Sequence, residues 1–118
     1  MQPVAIIAGA VGLTLAGAAY AHHGWVTYAE AESEVSGVVE SAELGAPHGA
    51  LRVRNAQGVW NVMLSPPAGI QRAGLTLAAI PKGAKVVARG HKRTDGTLEI
   101  KTERLVVGAK TYDLYPNR

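Results

Sequence analysis

Two of the four histidines in this 118-residue chain stand side by side, in the run Ala21-His22-His23-Gly24-Trp25. Proteolysis after Ala21 would give His22 a free amine next to its imidazole. The amine nitrogen and ring Nδ1 of one residue chelate a metal in a six-membered ring. A second imidazole then completes a T-shaped set of three nitrogens, the histidine brace. All-nitrogen ligation of this kind suits copper better than magnesium or calcium. A terminal amine titrates at about 7.7–8.0 and an imidazole at about 6.5, so both lose their protons readily near neutrality. A cut after Tyr20 instead places histidine second and third, which offers Cu(II) or Ni(II) a square plane of amine, amides and imidazole.

The third candidate ligand is His48, in the turn Gly45-Ala46-Pro47-His48-Gly49. It falls between the first two expected strands, where loops carry functional side chains at a barrel rim. The expected metal set is therefore His22, His23 and His48, with copper as the ion. The fourth histidine, His91, stands beside Lys92 and Arg93, whose charges disfavour a nearby cation, and it reads as surface. The plainer alternative is that His22-His23 is a flexible polar start and Pro47-His48 an ordinary turn. Trp25 and Tyr28 read first as core aromatics.

Other chemistry is harder to assemble. Cysteine is absent, which removes disulfides and thiolate metal sites. No Ser/His/Asp set or phosphate loop is readable, and Asp95 and Asp113 are the only aspartates, so the chain is not read as an enzyme. Twelve basic and nine acidic residues give a net charge of +3, without the dense basic run that nucleic-acid binding needs. Stacking aromatics are equally scarce, and no nucleic-acid partner is expected.

Those ligands need a frame. Val4 to Ala18 is an unbroken run of apolar and small residues with one threonine, followed by the small-x-small triplet Ala19-Tyr20-Ala21. This predicts a signal peptide over residues 1–21 and a periplasmic address. The run is short for a spanning segment, which needs ~20 apolar residues, although an uncleaved anchor is the competing reading. Contact with a membrane is expected only through this leader.

The expected organisation then is an N-terminal segment over 22–34, a barrel over 35–110 and a tail over 111–118, packed along an edge or loose. Glu34–Leu44, Ala50–Asn55, Val59–Leu64, Lys85–His91 and Thr97–Val107 carry β character. Leu51 and Val53 alternate with Arg52 and Arg54, the period of a half-buried strand with a basic outer face. Asn55-Ala56-Gln57-Gly58 signals a hairpin. Pro66 opens a short helix that Gly74 stops. Three strands, a short helix and two further strands predict an all-β fold, a small five-stranded OB-like barrel with the helix between strands 3 and 4. Its interior should hold Val35, Val39, Leu51, Val53, Val62, Leu64, Ile70, Leu75, Val86, Ala88, Leu98, Ile100 and Leu105, with Trp60 the largest.

These segments resemble a functionally uncharacterised family of small secreted bacterial proteins. The shared pattern reads here as AHHGW (21–25), SGVVE (36–40), APHGAL (46–51), VWNVML (59–64), QRAGLT (71–76) and PKGAKVVARG (81–90). Ala46 and Gly24 stand where that family usually has Asn and Ser. The resemblance implies an OB-like fold, a periplasmic location and a joint site of His22, His23 and His48, with no activity attached.

Two functions follow as expectations. The first is a periplasmic copper protein for storage, delivery or sensing. The second is a metal-free binding module or accessory subunit, docking a periplasmic protein or a small molecule through the face that carries Arg52 and Arg54.

Overall fold

The computed structural model describes residues 24–118; the expected leader, His22 and His23 lie outside the described residues. Strands β1 (Ser33–Glu43), β2 (Ala50–Asn55) and β3 (Gly58–Met63) form an antiparallel meander. Helix α1 (Pro67–Ala73) and a single 3₁₀ turn (Leu77–Ala79) follow, and then β4 (Lys85–Lys92), β5 (Glu99–Val107) and β6 (Lys110–Asp113). The strand order is β3-β2-β1-β4-β5-β6, and a parallel pairing of β3 with β5 closes the first five strands. The result is the five-stranded OB-like barrel with its helix between β3 and β4. The tail packs along an edge as β6, paired to β5.

Local chemistry explains each piece. On β2, Leu51 and Val53 are buried while Arg52 and Arg54 face water, as strand alternation requires. Asn55 Oδ1 accepts from the Gln57 amide at 2.9 Å and tightens the hairpin turn that Gly58 completes at φ 131°. Helix α1 has proline at its start, and Gly74 ends it in the left-handed conformation, φ 79°. Ile70 of α1 plugs the barrel end beside Gly49, where a Cβ would collide with the Ile70 side chain.

The barrel bends at two bulges. One lies on β1 between Val39 and Ser41. The other lies on β5, where Glu103 is an extra residue between the Arg89–Arg104 and Gly90–Thr102 pairs. A Cβ at Gly90 would land on the Lys101 carbonyl oxygen, so only glycine fits there.

Val39, Leu51, Val62, Ile100 and Leu105 form the centre of the core, with Trp60 against them. Leu98, expected inside, sits half-buried at the rim. Ile80, Tyr112 and Leu114 are buried additions from the segments after the helix and after β5.

Candidate functional site

Residues 24–32 do not enter the barrel. They lie as a strap across its outside, over β4 and β5. The Ala29 amide donates to Lys92 O at 2.8 Å, the Thr94 amide donates to Thr27 O at 3.1 Å, and Tyr28 pairs with Arg93. Lys101 Nζ donates to the Gly24 carbonyl at 2.6 Å. Lys101, tied to the strap, and Glu103, bonded to His91 and to the C-terminal Arg118, are outward-facing yet at most 9% exposed.

Trp25 is the hub of this attachment. The Arg118 guanidinium lies 3.8 Å and the Lys101 ammonium 4.6 Å from its ring centre. Tyr115 and His91 meet it edge-on at 5.1 and 5.6 Å. Trp25 and Tyr28 are thus half-buried aromatics outside the core, where the sequence reading placed them inside. The correction has a physical cause, since both rings carry cations on their faces, which a dry core would not supply.

His91 also departs from expectation. It is buried, 8% exposed, rather than on the surface. Its Nδ1 lies 2.8 Å from Ala29 O, and its Nε2 lies 3.2 Å from a Glu103 carboxylate oxygen that also accepts from Arg118 Nε. The neighbouring cations point elsewhere. Lys92 lies over Trp60, and Arg93 pairs with Asp95 at 3.1 Å and Glu99 at 3.5 Å.

The end of the strap meets a pocket of about 250 Å³ walled by Gly24, Tyr28, His48, Met63, Leu64 and Lys101. Ala50, Met63 and Lys101 form one row across β2, β3 and β5, and His48 stands just beyond Ala50. The Tyr28 hydroxyl donates to Glu99, whose other oxygen accepts from Asn61 Nδ2 at 3.1 Å. Burial and the Glu99 carboxylate push the Tyr28 phenol up to about 12. Burial, then the nearby Arg118, holds the Lys101 ammonium below the usual lysine range, against the pull of Glu99.

His48 is exposed at the pocket mouth. Gly24, the residue after His23, is in the same wall, so the fold brings His48 to the start of the strap. His91 belongs to the strap's anchorage instead. Among the described residues no group of three or more His, Asp or Glu side chains is placed to hold a metal. Of the two arginines on the β2 face, both are exposed and Arg54 is paired to Glu40 at 2.5 Å. Met63, Tyr28 and Lys101 were not picked out from the sequence as pocket residues. Only Met63 left a signal, because Val62 and Leu64 point inward and strand alternation turns the residue between them outward.

A family model, described as a family of unknown function (DUF6152), matches residues 11–101. No curated protein matches the chain. Among solved structures, asparaginyl-tRNA synthetase from Pyrococcus horikoshii complexed with asparaginyl-adenylate is similar at TM-score 0.50 and 15% identity. That match covers 74% of this chain and 21% of the synthetase. Another structure of that synthetase gives TM-score 0.50 and 16% identity over 75% and 22% of the respective chains. The chain spans about a fifth of their length, and at this identity the likeness is one of fold.

Proposed function

The chain belongs to DUF6152, a family of unknown function, and from its own residues we propose that it is a periplasmic copper-binding protein. His22, His23 and His48 hold the ion, for storage, delivery or sensing. In this reading the leader is removed after Ala21, so that His22 binds through its amine and ring together, and His48 adds a nitrogen from the barrel rim.

One observation carries the reading. The strap is tied down so that Gly24, one peptide bond from His23, shares a pocket wall with His48. The described start of the strap and the His48 turn, more than twenty residues apart in sequence, thereby share one wall, which supports a joint site. The donors are neutral nitrogens, which favour copper over hard cations.

The test begins with the intact mass of the natural protein recovered after export, which fixes its first residue. Copper(II) titration followed by electron paramagnetic resonance should then show nitrogen ligation with submicromolar affinity. One extra N-terminal residue should change the spectrum, and His48→Ala should weaken binding while leaving the fold intact, since His48 is exposed. A natural protein that keeps its leader, or a His48→Ala spectrum identical to wild type, would defeat the joint site.

A further inference from the structure

We propose that Met63 supplies a thioether beside the His48 imidazole, which makes this pocket a site for a soft monovalent cation, copper(I) or its analogue silver(I). The inference rests on the copper reading above and extends it to an oxidation state and an additional ligand.

Geometry brings the two donors together. Met63 is paired directly with Ala50, and His48 lies two residues before Ala50. The ladder continues past the strand ends, with the Gly49 amide donating to Ser65 O at 3.1 Å and the Leu64 amide to Gly49 O at 2.8 Å. Gly49 thus faces both Leu64 and Ser65, and His48 follows directly beyond the Ala50–Met63 pair, close enough for both side chains to reach the same cavity. Both line the 250 Å³ pocket. Methionine, with three rotatable bonds, can bring its sulfur to an ion held by a fixed ring.

The chemistry of the walls selects the ion. Thioether and imidazole are donors for copper(I), whereas calcium and magnesium require oxygen ligands. Among the described residues no carboxylate lines the pocket. Glu99, bonded to the Tyr28 of the pocket wall, is committed to Tyr28, Asn61 and Arg93. The Lys101 ammonium is part of the wall, and Coulomb repulsion scales with the charge of the ion, so a dication is penalised twice as much as a monocation. The ammonium therefore disfavours a hard divalent ion, with no carboxylate among the described lining residues to offset it.

The experiment uses exported protein of verified N-terminus. Copper(I) affinity is measured anaerobically by competition with bicinchoninate, silver(I) uptake by native mass spectrometry, and copper(II) binding by electron paramagnetic resonance. Met63→Leu conserves volume and should leave the melting temperature and copper(II) spectrum unchanged, while weakening copper(I) and silver(I) binding at least tenfold. If Met63→Leu holds copper(I) as wild type does and His48→Ala does not, the thioether is no ligand and this inference falls alone. If wild-type protein takes up neither oxidation state, the copper reading falls with it.

Discussion

Lys101 Nζ donates to the Gly24 carbonyl at 2.6 Å, a single hydrogen bond that ties β5 to a residue 77 positions earlier. The same ammonium lies over Trp25 and within 5.7 Å of the Tyr28 ring centre. One side chain thus fixes the strap and forms part of the pocket wall. Lys101→Met keeps the apolar stem but removes the donor and the cation. The expected cost is about 1–2 kcal/mol, from one lost hydrogen bond and a weakened cation–π contact, read as a lower urea midpoint.

Removing Trp25 should release the strap without opening the barrel. Its ring is half-buried, so Trp25→Ala should cost about 2 kcal/mol, less than the roughly 3–5 kcal/mol of a fully buried tryptophan. Chymotrypsin should then cleave at Tyr28 in the variant while sparing it in wild type. Equal resistance of both proteins would show that the backbone bonds of the strap suffice.

His91→Leu leaves the Ala29 carbonyl without its ring partner and deprives the buried Glu103 carboxylate of one of its two side-chain hydrogen bonds. Unpaired buried acceptors cost about 1–3 kcal/mol each, so a loss of about 2–3 kcal/mol is expected by denaturant unfolding. A change within half a kilocalorie, the usual range for a surface site, would restore the surface reading of this histidine.

The barrel as a scheme was readable because its signals are local. Leu51 and Val53 alternate with arginines, Pro66 and Gly74 bracket the helix, and the Asn55–Gly58 turn is spelled out in four residues. The strap was not readable. On β5, Glu99, Lys101 and Glu103 alternate with Ile100 and Thr102 and read as a solvent face. Nothing in that period records that another segment covers it. His91 misled for a related reason: its chain neighbours are cations, while its spatial neighbours, Glu103 and Ala29, arrive from twelve and sixty-two residues away. The pocket inherits this difficulty, because Gly24, His48, Met63 and Lys101 come from four separate segments. His48 could be named as a candidate from its turn, whereas its place beside the start of the strap needed the closed barrel.

Alkali should loosen the strap over a defined window. The Tyr28 phenol is raised from 10.0 to about 12 because the fold favours its neutral, donating form. A raised value means that the contribution is complete below pH 10 and disappears as pH climbs through about 12. Tyr28→Phe should remove this dependence and cost about 1 kcal/mol at neutral pH. Thermal melts of both proteins between pH 8 and 12 check it, and parallel curves would count against the Glu99 bond.

Glycine substitutions should separate two kinds of position. Gly90→Ala drives a methyl into the Lys101 carbonyl at the bulge and should cost about 3 kcal/mol or more, enough to prevent accumulation of folded protein. Gly45→Ala, with nothing near its added carbon, should melt within a few degrees of wild type.

β5 pairs with β4 along one edge and with β3 and β6 in succession along the other, so no stretch of it is left as a bare edge. The core lies beneath it and the strap above. On the far side, around β1 and β2, Val38, Arg52 and Arg54 face solvent instead. The Lys101 wall of the pocket therefore belongs to a strand held by neighbours along both edges and covered on both faces.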